Sequence, residues 1–196
     1  QAKGIYAVHG RACSKDRKSI IFFGPVSGLG KTTATLSLCS NYGFEFIGDE
    51  KILINEKAEV VGGVTTIEYN KKILHEIFGS DFHNHDSTSN EIITTSKGPD
   101  KVVLMIQPII VPGAQLLVEE WSAEKSDWHL YEELSRKIRG TSRRVNSLSL
   151  GLQSIDDALI TKDRILAVKA ISNSVTFKTL RGSIETVTDY IDSLYA

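Results

Sequence analysis

Apolar and polar positions sort the first part of the chain into short blocks. Residues 4–9 are rich in Ile, Tyr and Val, and residues 19–23 are almost wholly apolar, so both predict strands, the second buried on both faces. Between them Ser14-Lys15-Asp16-Arg17-Lys18 is a polar turn, which predicts a hairpin. A glycine-rich stretch follows, then a helix over 31–41 with Gly43 placed to end it. Residues 44–47 predict the next strand, and 51–54 a further one turning at Asn55-Glu56-Lys57.

Farther along, Ile73, Leu74, Ile77 and Phe78 give 71–78 a helical spacing that stops at Gly79, and residues 79–90 are too polar for core. Strands resume over 91–95, 101–106 and 115–119. The apolar stretch 102–118 contains Gln107, Pro108, Pro112 and Gly113, breaks that a bilayer-spanning helix does not tolerate, so it reads as two strands around a turn. Ser126 caps a helix running to 138, with Asp127, Glu132 and Glu133 early and Arg136, Lys137 and Arg139 late, which suits the helix dipole. Ser154 introduces a short helix over 155–160, residues 164–171 read as a strand, and 183–194 as a closing helix. Strands outnumber helices, and the expected fold is α/β with a mixed, strand-rich sheet and flanking helices.

At 196 residues the chain suits one α/β domain over 1–196. A net charge of −1 gives no global attraction to nucleic acid or to an anionic membrane, so neither is an expected partner. Cys13 and Cys39 form no Cys-x-x-Cys and no paired framework, which points to a reducing, cytoplasmic setting. No signal peptide is visible, and a start at Gln1 leaves room for an upstream segment.

The strongest chemical signal runs from Gly24 to Thr33. A strand leads into Gly24-Pro25-Val26-Ser27-Gly28-Leu29-Gly30-Lys31-Thr32-Thr33, and a helix leads out. Glycines let successive backbone N–H groups converge on phosphate oxygens, and the helix presents its own free N–H groups and positive dipole end to the same anion. This is the order of a P-loop, or Walker A motif. Gly24, Ser27, Gly28, Leu29, Gly30, Lys31, Thr32 and Thr33 are the expected nucleotide-binding residues, Lys31 meeting the β- and γ-phosphates and Thr32 the Mg²⁺. The usual spacing leaves four residues between the first glycine and the Gly-Lys pair, whereas five separate Gly24 from Gly30. Either Pro25 or Val26 is an insertion, or Gly24 is not the counterpart of the first glycine.

Transfer chemistry needs a metal and a proton acceptor in addition. Asp49 and Glu50 follow the strand over 44–47, which is expected beside the loop-bearing strand with its carboxyl end at the ligand. Asp49 would then reach the γ-phosphate edge and Glu50 the Mg²⁺. A solvated Asp-Glu turn fits the same letters. His9, near a strand end, fits either a structural hydrogen bond or a group that holds the base or the γ-phosphate.

Taken together these residues resemble the catalytic domain of HPr kinase/phosphorylase, a bacterial protein-serine kinase, and the nucleotide core of ATP-dependent phosphoenolpyruvate carboxykinase. Val8-His9-Gly10 opens a hairpin whose return strand leads into the loop, Phe23-Gly24 and 27–33 are similar to the carboxykinase loop, and Ile47-Gly48-Asp49-Glu50 stands where both families place a small residue and two acids. The resemblance implies an HPr kinase/carboxykinase-like fold, with Asp49 as general base, His9 assisting it and Glu50 as the second acid. It also implies that the family's hexameric assembly is a model for a homo-oligomer here. Arg164-Ile165-Leu166-Ala167-Val168 and Phe177-Lys178 are faintly similar to the kinase's C-terminal end, and the family's glycine-rich signature is not recognisable.

His75, Asp81, His83, His85 and Asp86 cluster in sequence, but without a flanking Cys or a His-Glu-x-x-His pattern they read as a polar loop near the substrate opening. The basic run 136–144 fits a solvated helix end, a stabiliser of charge on the transferring phosphoryl group, or a receiver for an acidic substrate or a neighbouring subunit. Trp121 and Trp128 fit an interface or a base-stacking role equally. The expected function is an Mg-ATP-dependent kinase that acts on a hydroxyl, either a serine of a partner protein or a small metabolite. The catalytic set is Asp49, His9 and Lys31, and the metal ligands are Thr32 and Glu50. A nucleotide-dependent sensing module without phosphotransfer is the alternative.

Overall fold

The polar turn at 14–18 closes as tightly as a hairpin allows. In the computed structural model, which describes residues 4–64, 99–135 and 157–195, Asp16 and Arg17 both take positive φ, 52° and 61°. That two-residue turn has the twist the flanking strands need. It joins Gly10–Lys15 (β2) to Lys18–Phe23 (β3), so the hairpin partner of the loop-bearing strand is β2. The strand read over 4–9 is Ile5–Val8 (β1), which breaks at His9 and pairs elsewhere.

Helix Lys31–Asn41 (α1) has the bounds its spacing predicts. The two strands expected on either side of Gly48 are a single one, Glu45–Asn55 (β4), and Glu59–Val64 (β5) returns against it. Glu50 sits inside β4 with φ of 58°, where the register with β5 slips, so the strand bulges there instead of ending. After residue 99 come Asp100–Ile110 (β6), Leu117–Glu120 (β7), helices Ala123–Ser135 (α2) and Ala158–Ser172 (α3), Thr176–Gly182 (β8) and helix Ile184–Ser193 (α4). The elements expected over 71–78 and 91–95, the His/Asp cluster and the basic run 136–144 lie outside the described residues.

The sheet runs β1-β4-β2-β3-β6-β8-β7, with β5 joining β4 to β6. Among the described residues only β3–β6 and β6–β8 are parallel, so the sheet is mixed. β4 lies beside β2 and not beside β3, which corrects the expected adjacency: the hairpin occupies that edge of β3 and offers its far edge to β4. Because β5 also pairs with the start of β6, the pairings β2–β3–β6–β5–β4 return to β2 and form a ring.

Alternation along β3 explains its apolar sequence. Ile21 and Phe23 join Met105, Phe177, Leu130 of α2 and Ile171 of α3 on one face. Ile20 and Phe22 join Leu104, Leu180, Leu38 of α1 and Ile191 of α4 on the other. A strand buried on both faces has no polar side to alternate with. Trp121 packs in the first of these cores, edge-on to Phe23, and donates Nε1–H to Thr179 Oγ1 at 2.7 Å, whereas Trp128 stays exposed.

Residues 164–171, expected as a strand, belong to α3. Its buried positions Arg164, Ala167, Val168 and Ile171 recur at three- and four-residue steps, the signature of one helix face. Its cap is Asp157, which accepts from the Ile160 amide at 2.8 Å, while Ser154 lies outside the described residues. The closing helix α4 starts on Ser183, whose Oγ accepts from the Thr186 amide at 3.3 Å. Ser183→Ala is expected to cost about 1 kcal/mol in a urea titration, the usual worth of such a cap. No helix among the described residues is long and apolar enough to cross a membrane.

Candidate functional site

The segment between β3 and α1 is built by backbone that only glycine takes easily. Gly24, Gly28 and Gly30 have φ of 150°, 82° and 92°. Gly30 is doubly constrained, because a Cβ there would lie 2.2 Å from Ile110 Cγ1. The same Ile110 donates its amide to Leu29 O at 3.2 Å, so the end of β6 braces the loop from the side.

Gly30 is also the N-cap of α1, with no side chain capping the helix and no acid in its first turn. The first N–H groups of a helix have no partner within it, so this end offers them, and the positive end of the dipole, to the space the loop encloses. Lys31 lies at that end, and its Nζ donates to Val26 O at 2.8 Å, folding the ammonium back across the loop. Thr32 and Thr33 are half-buried in the same turn, and Ser27 and Gly28 are exposed at the loop's tip.

The neighbouring strands bring the other residues toward this end of β3. Gly10 pairs with Phe23, and a Cβ on Gly10 would come within 2.3 Å of Phe22 O, so the His9-Gly10 bend can press against the strand that feeds the loop. Ala12 pairs with Gly48, which sets Asp49 and Glu50 across β2 from that bend. His9 Nδ1, protonated in the tautomer that can donate, lies 2.9 Å from Glu50 O and ties the bend to the β4 bulge. The Glu50 side chain is exposed.

Asp49 is 1% exposed. Its Oδ1 accepts from Arg11 Nε at 2.6 Å and from the Glu50 amide at 2.7 Å. Its Oδ2 has no hydrogen-bond partner among the described residues. Burial pushes the Asp49 carboxyl above its ordinary value, more than the Arg11 charge and the Glu50 amide pull it down. Burial likewise lowers Arg11, against the pull of Asp49. Arg11 stands opposite Phe22, hence on the sheet face that α1 covers.

The direct contacts therefore join Asp49 to Arg11 and His9 to Glu50, and they set this group one strand away from the loop that carries Lys31 and Thr32. Sequence reasoning did not single out two residues that the fold places here. Arg11 follows His9-Gly10 immediately, but only the pairing of β2 with β4 sets it against Asp49, so no local pattern marks it. Gln107 is a polar break in the apolar run 102–118, and its Cγ lies 3.6 Å from where Gly24 would carry a Cβ.

Among the described residues no three His, Cys, Asp or Glu side chains gather to hold a metal alone. Magnesium does not require such a cluster, since it commonly keeps waters and phosphate oxygens with one or two protein ligands. Thr32 and Glu50 each carry an oxygen of the kind magnesium takes, and the helix start, with no side-chain cap and no acid in its first turn, is chemically suited to an anion. No family model matches the chain, and no curated protein is detectably similar to it.

Proposed function

We propose that this chain is a P-loop kinase of the HPr kinase/carboxykinase-like class, binding Mg-ATP in the glycine-rich loop and passing the γ-phosphoryl group to a hydroxyl. A serine of a partner protein is the first acceptor and a small hydroxylated metabolite the second. The observation that carries the reading is a buried carboxylate with one unpartnered oxygen, held one strand from an uncapped, lysine-bearing helix start.

Lys31 and the amides of Gly28, Gly30, Thr32 and Thr33 would hold the phosphates, with Gly24, Ser27 and Leu29 shaping the loop around them. Thr32 and Glu50 would hold magnesium, which when bound offsets charge on the phosphate oxygens. Asp49 would take the acceptor's proton at Oδ2, and a buried carboxyl raised above its ordinary value is a better proton acceptor than an exposed one. His9 assists by fixing the Glu50 carbonyl, and with it the bulge that aims Asp49.

A second reading, nucleotide sensing without transfer, draws support from the Arg11–Asp49 ion pair, because a carboxylate gripped by a guanidinium gives up part of its basicity. Calorimetry and a transfer assay separate the two. Wild type is expected to bind Mg-ATP, and Lys31→Met to lose at least about tenfold in affinity, since a charge-assisted contact to phosphate disappears. Binding by wild type without label transfer to serine peptides or small alcohols favours the sensor. No heat with Mg-ATP or Mg-GTP removes both readings.

A further inference from the structure

The Asp49 carboxyl is held in an unusual way for a buried acid beside an arginine. Arginine commonly grips a carboxylate through both oxygens, two parallel N–H···O bonds at once. Here both donors fall on one oxygen: Arg11 Nε at 2.6 Å and the Glu50 amide at 2.7 Å both reach Oδ1. Oδ2 is buried and takes no hydrogen bond from any described residue. Rotation about the carboxyl bond would exchange the two oxygens, and two donors converging on Oδ1 from different strands oppose it.

Arg11 is itself well placed to hold still. It follows Gly10, whose missing Cβ lets β2 approach the Phe22 carbonyl more closely than any other residue would permit. Its side chain is largely buried on the α1 face of the sheet. The charged groups that act on Asp49 are Arg11 from β2 and the adjacent Glu50; β5 places the uncharged Val64 opposite it. The Lys31 ammonium, at the start of α1, is turned to Val26 O.

We infer that Arg11 is a positioning residue for phosphoryl transfer: by fixing Oδ1 it reserves Oδ2 of Asp49 as the atom that receives the acceptor's proton. The inference rests on the phosphotransfer reading above. In the step, the acceptor O–H bond breaks and its proton goes to Oδ2. The acceptor oxygen forms its bond to the γ-phosphorus, and the bond from that phosphorus to the bridging oxygen breaks, its electron pair leaving with ADP. Arg11 touches neither reactant and acts through Asp49 alone.

A double-mutant cycle on the full chain tests this, with wild type, Arg11→Met, Arg11→Lys, Asp49→Asn and the Arg11→Met/Asp49→Asn pair. The readouts are kcat, KM for ATP, the Mg-ATP Kd by calorimetry and a thermal melt. Arg11→Met is expected to lower kcat roughly 10²-fold with KM and Kd for ATP within about twofold, because misplacing a reacting group costs about that much. Arg11→Lys, which keeps the charge and the alkyl stem, restores part of the loss and serves alone if the methionine variant does not fold. In the Asp49→Asn background the Arg11→Met change is expected to move kcat less than about twofold, since there is no base left to position.

An Arg11→Met penalty that persists undiminished beside Asp49→Asn overturns the inference, as does a kcat equal to wild type, or a loss of ATP affinity that matches the loss of kcat. The phosphotransfer reading survives each of these. If Asp49→Asn itself keeps full turnover, the base assignment is what fails; if wild type binds ATP and transfers nothing, the reading and the inference fall together.

Discussion

Asp49→Asn is expected to lower phosphoryl transfer roughly 10²- to 10⁴-fold while Mg-ATP binding stays within about twofold, the range a positioned general base supplies. The substitution preserves shape. The asparagine Oδ1 still accepts from Arg11 and from the Glu50 amide, and only the atom at the unpartnered Oδ2 position changes, to a group that cannot take a proton. Stability is expected to fall near neutral pH, because the substitution leaves the largely buried Arg11 charge without its counter-charge. Its pH dependence has a sign. With the carboxyl raised in the folded state, the folded protein binds this proton more tightly than the unfolded chain. The resulting stability is present below the ordinary carboxylate range and is lost as pH rises to the folded value, and Asn removes that slope. Single-turnover assays with labelled ATP, calorimetry and urea midpoints across acid pH check the three parts. A large loss of ATP affinity would assign Asp49 to holding the nucleotide instead of to proton transfer.

Gly30→Ala is expected to destabilise the fold by about 3 kcal/mol and to weaken Mg-ATP binding at least about tenfold, as overpacking adds to backbone strain. The residue has φ of 92°, and its new methyl would sit 2.2 Å from Ile110 Cγ1 and 2.7 Å from Ile110 Cβ. Ile110 has little freedom to retreat, since its own amide is bonded to Leu29 O. Gly28→Ala is the control: φ is 82°, but nothing lies within 4 Å of the added carbon, so about 1 kcal/mol of strain is expected. Ile110→Ala should return part of the Gly30→Ala loss. Equal urea midpoints for the Gly28 and Gly30 variants would show that Ile110 does not brace the loop.

The parts of the fold legible in the sequence are those in which local pattern and tertiary demand agree. Strand, glycine loop and α1 follow one another as their letters suggest, and α1 keeps both its bounds. The failures each have a physical cause. The run Arg164-Ile165-Leu166-Ala167-Val168 looks like a strand by β-branched content, yet the buried members are three and four apart and α3 forms. β8 was not anticipated as a strand because Thr-Phe-Lys-Thr-Leu-Arg-Gly is half polar, and Lys178 is buried only by finding Glu120 at 2.6 Å and the Tyr190 hydroxyl at 3.1 Å. The acidic pair suggested a strand end, but a left-handed residue inside β4 lets the strand bulge and continue. For the candidate site, the loop residues follow from spacing, while Asp49 is singled out only by its place after a strand together with the family resemblance. Arg11 could not be named, because its importance lies in which strand pairs with β2, a long-range fact that no local pattern carries.

The brace that β6 lends to the glycine loop has a consequence for how this protein matures on the ribosome. Every letter of the motif has emerged by the time α1 is made, but Ile110, whose amide bonds Leu29 and whose side chain backs Gly30, is translated much later. A nascent chain halted after residue 64 thus displays the complete signature without its supporting wall. The braced form of the loop arrives only when the parallel pairing of β3 with β6 has closed over the long intervening segment, a slow kind of contact for any chain to make.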